Sequence, residues 1–233
     1  MIIETDNIQL DDLPDLAGRL SRIGEIAREI EWLPDSTYKP MGCVVVDVEW
    51  YSLAAVAKST SNAHAFTAMV KTKNTIAATA LVRMQIEVAM RIHGLTLVED
   101  VELAGTELMN GAKYSSLINR HTNKPLTDTV LHLELSKMYQ WVTPAYRASC
   151  AAVHLDRMNI ENKLTPINDR VFFNLSGTDS HASDEAYFHL ADTFFVALRM
   201  TKQLLESFLA TRPQPDERSA QLSAIREAAT KDL

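Results

Sequence analysis

The sequence predicts an all-α protein, a bundle of about six helices with a small β-hairpin near residues 160–175. Only seven glycines and eight prolines occur among the 233 residues, so tight turns are few and long helices are favoured over a many-stranded sandwich. Apolar residues make up 46% of the chain and recur at helical spacing, enough for one sizeable core. We therefore expect a single helical domain over residues 1–211, followed by a polar tail over residues 212–233.

The first predicted helix begins near Asp12 and ends before Pro34. Pro14 falls in its first turn, where a missing backbone N–H does no harm. An apolar stripe follows at intervals of three or four residues: Leu16, Leu20, Ile23, Ile26 and Ile30. Residues 34–43 contain two prolines and a glycine and are expected to connect this helix to the next.

The second predicted helix occupies most of the segment from about Val44 to Lys71. Three valines at positions 44–46 are also typical of the start of a strand. The residues that follow keep helical spacing, which favours the helix: Trp50, Leu53, Ala54, Ala57, His64 and Met69.

A third helix is predicted over Thr75–Leu95, and the wide arc of its apolar residues indicates that most of it is buried. Gly94 is expected to end it. One narrow stripe of this helix is polar and consists of Arg83, Glu87 and Arg91, each four residues apart. A shorter helix is expected over residues 102–109.

The second half of the chain begins with a locally basic loop over residues 110–125, followed by a short helix over residues 127–139. Thr143 as the N-cap and Pro144 at the first helical position predict another helix, which should run to about Met158. Residues 160–175 combine β-branched and aromatic residues with turn residues and predict the hairpin. Ser183 and the two acids after it begin the last long helix.

Charge and motifs exclude several classes of function. The formal charge of −7 does not fit a protein that coats a nucleic-acid duplex, and no phosphate loop, dinucleotide fingerprint or glycine elbow is present. Asp128 and His132 have a spacing that can hold a metal, but no third ligand follows at a recognisable interval, so we expect neither metal nor cofactor. Without a signal peptide or a membrane-spanning apolar run, the chain is expected to be cytoplasmic.

The strongest candidate for chemistry is the segment from Arg147 to His154. Seven helical residues return to within about 20° of the starting direction and rise roughly 10.5 Å, so the two side chains should share one face. The residues at positions 148–152 are all small, which lets another helix approach closely. The alternative interpretation is that His154 is a satisfied core histidine and Arg147 an ordinary surface cation.

This arginine and histidine, with six residues between them on a late helix of an all-α chain, resemble the motif of the HEPN superfamily. A wider likeness to uncharacterised bacterial HEPN-like proteins covers roughly residues 60–160, through Asn74–Glu87, Lys124–Asp128 and the Tyr146, Ser149, His154 pattern. The resemblance implies a homodimer that cleaves RNA without a metal, as a toxin or phage-defence effector with an antitoxin or defence-system partner. It also implies that His154 is the acid/base and that Arg147 holds phosphate charge.

Further site residues are predicted around this pair. Glu87 could face His154 and orient its imidazole, as a carboxylate does in a catalytic triad. Alternatively, Arg83, Glu87 and Arg91 form only a solvated or interhelical ion-pair ladder. Four basic residues are candidates for binding the RNA backbone: Arg83, Lys113, Arg120 and Lys124. The rival functional interpretation is a non-catalytic HEPN-like module for dimerisation or for binding a partner or RNA.

Overall fold

The structure is a computed structural model that describes residues 15–38, 45–154, 160, 163–179 and 182–212, with backbone alone for residues 36–38 and 165–167. Most of the described chain is helical, which confirms the predicted class. The helices and strands in chain order are α1 (Leu16–Tyr38), α2 (Asp47–Lys71), α3 (Thr75–Leu95), α4 (Val101–Met109), a 3-10 turn (Tyr114–Ser116), α5 (Asp128–Ser136), α6 (Val142–Val153), β1 (Leu164–Ile167), β2 (Arg170–Phe173) and α7 (Asp184–Ala210).

Helix α3 lies at the centre of the bundle and packs against α2, α5, α6 and α7, while α1 packs against α2 and α7. Asn74 caps its start, because its side chain accepts a hydrogen bond from the N–H of Ala77. The large apolar residues of α3 are fully buried, among them Ile86, Met90 and Ile92. Burial of each such side chain stabilises the fold by about 1.5–3 kcal/mol, so α3 organises the core.

The predicted helix over residues 44–71 is present as α2, but the face it buries differs from the apolar stripe in the sequence. Trp50 and His64 of that stripe are exposed, whereas Ser59 and Asn62 are buried. Their hydrogen bonds explain why polar residues can lie inside. Asn62 Nδ2 donates to Gln85 Oε1 on α3 at 3.1 Å, and Gln85 Nε2 donates to Ser59 Oγ at 3.1 Å and to Thr201 Oγ1 on α7 at 2.9 Å.

One predicted helix end and the predicted role of Gly94 are wrong. Helix α1 continues past Pro34, which lies inside its last two turns. Gly94 does not end α3 but is buried within it, and Thr96 is the C-cap. A Cβ at position 94 would lie 2.5 Å from Tyr114 Oη and 2.7 Å from Leu131 Cδ2. Glycine is therefore needed there because two side chains pack directly against the helix backbone.

The predicted hairpin is confirmed as the antiparallel pair β1–β2, joined by a turn at residues 168–169. Asn168 has a φ of 55°, a region that asparagine tolerates well. The open end of the hairpin is anchored to the bundle by an ion pair in which Lys163 Nζ lies 2.5 Å from Asp179 Oδ1. Asp179 also accepts a hydrogen bond from the backbone N–H of Thr75 at 3.1 Å. The hairpin is thereby fixed at the start of α3.

Ser183 caps the start of α7, as predicted, by accepting a hydrogen bond from the N–H of Ala186 at 3.3 Å. Arg212, predicted to be the first residue of the tail, is buried instead. It binds Glu102 at the start of α4, with Nη1 2.6 Å from Oε1. The rest of the predicted tail, residues 213–233, lies outside the described residues. In the part of the chain that the structure describes, no helix is long and apolar enough to cross a membrane.

The close approach of α4 to α2 depends on Gly105 and gives a stability prediction. A Cβ at position 105 would lie 2.5 Å from both the Cβ and the backbone N of Val48, so the two helices would have to move apart. We expect Gly105→Ala to lower the free energy of unfolding by about 1–3 kcal/mol, the usual cost of overpacking, as measured by urea denaturation.

Gly24 in α1 is the matched control, because no atom lies within 4 Å of a Cβ placed there. Gly24→Ala should raise the free energy of unfolding by up to about 1 kcal/mol, since alanine is the better helix former. Equal stability of Gly105→Ala and the parent protein would contradict the proposed close approach.

Candidate functional site

Four charged side chains form a closed cycle between α3 and α5, here called the charge ring: Arg83, Glu87, Arg91 and Asp128. Arg83 Nη1 lies 3.0 Å from Glu87 Oε2, and Arg91 Nη2 lies 3.0 Å from Glu87 Oε1. Asp128 Oδ1 lies 2.6 Å from Arg91 Nη2, and its Oδ2 lies 3.5 Å from Arg83 Nη2. The polar stripe of α3 is therefore an interhelical ion-pair ladder, the second of the two predicted alternatives.

The arginines of the charge ring lie beneath its carboxylates. The Arg83 side chain is 11% exposed, against 44% for Asp128. Burial works against the charge of Arg91, but Asp128 and Glu87 outweigh it and raise the pKa of Arg91. The Arg91 guanidinium also lies 4.7 Å above the ring centre of Tyr114. Both guanidiniums are thus held in place before any ligand arrives.

Tyr146 on α6 extends the charge ring. The Arg83 guanidinium lies 3.7 Å from the centre of its aromatic ring and also donates to its hydroxyl, while Tyr146 Oη lies 3.5 Å from Asp128 Oδ2. Burial raises the pKa of Tyr146 to about 12, and Arg83 lowers it only in part. The hydroxyl therefore stays protonated near neutral pH and can donate a hydrogen bond.

His132 on α5 stacks on Tyr146, with ring centres 4.7 Å apart. Its Nδ1 lies 3.1 Å from Thr143 Oγ1. Burial lowers the pKa of His132, Arg147 and Arg83 lower it further, and Asp128 opposes them. A neutral imidazole is therefore favoured next to the arginines. The prediction that Thr143 caps α6 is wrong, since α6 starts at Val142 with Trp141 as its N-cap.

Arg147 lies on the outer side of α6, and His154 lies at its C-terminal end. Both are exposed, so the alternative that His154 is a core histidine is not supported. The helix ends at Val153 rather than near Met158, and His154 is its C-cap, with an extended ψ of 152°. Arg147 lies within the regular helix, whereas His154 is the first residue beyond it. Among the described residues, the Arg147 side chain has no ion-pair or hydrogen-bond partner.

The other predicted site residues fall into two groups. Arg83 and Glu87 belong to the charge ring, where both oxygens of Glu87 bind arginines; its pairing with His154 stays a prediction. Lys113, Arg120 and Lys124 are exposed on the loop between α4 and α5. The N–H of Arg120 links this loop to the α3–α4 connection by donating to Leu97 O at 2.8 Å. Within the described chain, none of these three contacts the charge ring.

Sequence reasoning missed Tyr146, His132 and Asp128 as members of one cluster with the α3 stripe. A signal for an acidic partner was present, because the stripe holds two arginines and only one glutamate. Tyr146 was singled out only as part of the family likeness, and an aromatic residue in an amphipathic helix is usually part of the core. Only packing shows that its hydroxyl reaches Arg83 and Asp128.

Asp128 and His132, weighed in the sequence as a pair that could hold a metal, serve other contacts: both Asp128 oxygens lie near arginines, and His132 stacks on Tyr146. In the ranges the structure describes, no three histidine, cysteine, aspartate or glutamate side chains are grouped as metal ligands. Comparison of the chain with protein-family models, with curated proteins and with solved structures found no match.

The electrostatic coupling of Arg147 to His132 can be measured by NMR titration. Because the folded-state pKa of His132 is lowered relative to about 6.5 in an unfolded chain, the folded protein binds this proton less readily. The free energy of unfolding should therefore fall as the pH drops through the unfolded value. We expect Arg147→Ala to raise the pKa of His132, since it removes a nearby positive charge.

Lys137→Ala is the matched control. Burial lowers the pKa of His93, Glu134 raises it in part, and Lys137 lowers it. This variant should therefore raise the pKa of His93 and leave that of His132 unchanged. A pKa of His132 that responds equally to both variants would contradict the proximity of Arg147.

Proposed function

We propose that this chain is an HEPN-like, metal-independent endoribonuclease that acts as a cytoplasmic homodimer in a toxin or phage-defence setting. The observation that supports it most is that Arg147 on α6 and His154, the first residue beyond α6, are both exposed. Arg147 is a cation without an ion-pair partner among the described residues, and His154 follows seven residues later at the end of the same helix. An exposed guanidinium can hold phosphate charge, and an exposed imidazole can act as a general acid or base in RNA cleavage.

Arg147 would bind the scissile phosphate. A guanidinium presents two parallel N–H donors that match two phosphate oxygens, and charge that develops on those oxygens in the transition state is stabilised by a fixed cation. The neighbouring guanidiniums of Arg83 and Arg91 are compensated by Glu87 and Asp128. Unlike these two, the Arg147 guanidinium has no carboxylate partner among the described residues, so its charge is available for a phosphate.

His154 would move the proton. As a base, its neutral imidazole accepts the proton of the ribose 2′-hydroxyl while O2′ attacks the adjacent phosphorus. The P–O5′ bond breaks, and the leaving O5′ takes up a proton from a second acid or from water. In a homodimer, that second acid can be His154 of the other copy. The products are a 2′,3′-cyclic phosphate and a 5′-hydroxyl, so atoms and charge balance without a metal ion.

The basic loop would guide the RNA backbone towards α6. Lys113, Arg120 and Lys124 are all exposed there, and cations that neutralise phosphates add sequence-independent affinity. Loss of any one of them should weaken binding without abolishing cleavage.

The decisive experiment is digestion of an RNA panel by purified protein in the presence of EDTA. We expect cleavage that leaves 2′,3′-cyclic phosphate ends and that falls by about 10²–10⁴-fold in His154→Ala, the usual contribution of a general acid or base. His64→Ala, an exposed histidine on α2, is the control and should cleave like the parent. Cleavage by His154→Ala at the parental rate would rule out this assignment, as would loss of all cleavage in EDTA.

Binding of a labelled single-stranded RNA tests Arg147 independently of catalysis. Arg147→Ala should weaken binding and reduce the dependence of log K on log salt by roughly 0.7, which corresponds to one phosphate contact on a single strand. Arg22→Ala, an exposed arginine on α1 that pairs with Glu25, should change neither quantity. Identical salt dependence in the two variants would remove Arg147 from the RNA surface.

A second candidate function, a non-catalytic helical module that binds RNA or a partner protein, is favoured by the charge ring. Its carboxylates already form ion pairs with the arginines of α3, as expected if the charge ring has a structural role and does not bind phosphate. This candidate expects binding with no cleavage in any RNA of the panel. Replacing the exposed Ala148 by a larger residue should then abolish partner binding, since Ala148 lies on the outer side of α6.

A further inference from the structure

The β1–β2 hairpin carries an unusual amount of exposed apolar surface for its size. Val171 is 67% exposed and Leu175 is 90% exposed, and Phe172 and Phe173 are each at least half exposed. All four residues of β2 are exposed, although a strand that packs on a core buries every second residue. An isolated two-stranded hairpin is also only marginally stable in water. These properties indicate a surface that is covered in the working protein.

The two outer edges of the hairpin differ in their capacity to accept another strand. Asn174 N donates to Lys163 O at 2.8 Å, so these two residues form a hydrogen-bonded pair. Because such pairs alternate along an antiparallel ladder, the observed register directs the N–H and C=O groups of Val171 and Phe173 away from β1. Both groups of each residue are therefore available at the outer edge of β2.

The same alternation directs the backbone groups of Leu164 and Pro166 to the outer edge of β1. Proline has no N–H, and proline on an edge strand is a common protection against the addition of further strands. The hairpin thus has one protected edge and one open edge, so strand addition would stop after a single partner. An interface that closes in this way produces a pair and not a fibre.

We propose that the open edge of β2 pairs with β2 of a second copy of this chain, which gives a four-stranded antiparallel sheet across a two-fold axis. Residues with outward-directed backbone groups must face each other, and in the register we propose Val171 pairs with Phe173 of the second copy while Phe172 faces its own equivalent. This register forms four hydrogen bonds between the copies.

The side chains fit this register. Phe172 meets its equivalent in a non-hydrogen-bonded pair, in which side chains approach closely and aromatic pairs are favourable. Arg170 faces the neutral Asn174 of the second copy, so no like charges are opposed. Such self-complementarity selects a second copy over an unrelated strand. The inference specifies the interface of the homodimer that is part of the proposed function, and it rests on that part of it. Its tests measure association and not RNA cleavage, so its failure and that of the ribonuclease assignment are distinguishable.

Sedimentation of the full chain over a concentration series tests the pairing. The parent should associate to a dimer, and Val171→Pro should be monomeric, because it removes an outward-directed N–H without removing a hydrogen bond between β1 and β2. Pro166→Ala restores a donor on the other edge and should produce species larger than a dimer. A parent that stays monomeric, or a Val171→Pro variant that dimerises like the parent, would overturn the proposal. Circular dichroism checks that the helices of each variant are intact.

Oxidative crosslinking tests the register in a Cys43→Ser, Cys150→Ser background. Phe172→Cys should form a disulfide-linked dimer in high yield, because the Cβ atoms of facing residues in a non-hydrogen-bonded pair are close enough for a disulfide. Val171→Cys is the matched control and should crosslink poorly, since its equivalent lies diagonally at about 7–8 Å. Equal crosslinking of the two variants would exclude this register.

Discussion

The arrangement of α3, α5 and α6 depends on the need to satisfy a charged stripe on an otherwise buried helix. Arg83 and Arg91 lie mostly within the protein, and a buried charge without a partner costs several kcal/mol. Asp128 of α5 and Tyr146 of α6 meet this need from two sides. The orientation of α6, and with it the direction in which Arg147 projects, therefore follows from electrostatic compensation as much as from apolar packing.

Helical periodicity was sufficient to predict most of the fold. The bounds of α3 coincide with the prediction, and α2, α4, α7 and the hairpin are where the pattern places them. The errors arise where tertiary contacts override local signals. Gly94 lies within its helix because Tyr114 and Leu131 pack against it. The buried face of α2 contains Ser59 and Asn62 because Gln85 satisfies them, and hydrophobicity alone cannot reveal such a partner.

The candidate site was predicted only in part, for a related reason. Arg147 and His154 were found from their spacing within one segment, and both are exposed. The partners of Arg83 and Arg91 come from elsewhere: Asp128 is 37 residues from Arg91, and Tyr146 is 63 residues from Arg83. Spacing within a helix reports only near neighbours in the chain, so contacts between distant segments have to be observed.

The hydrogen bonds among Ser59, Asn62, Gln85 and Thr201 have a consequence for how tolerant the bundle is to change. Each link joins α2, α3 or α7 to another helix, and a shift of one helical turn between any two of them would leave amide groups without partners in a dry interior. Purely aliphatic contacts would permit several nearly equivalent packings. These amide and hydroxyl groups therefore admit one alignment of α2, α3 and α7.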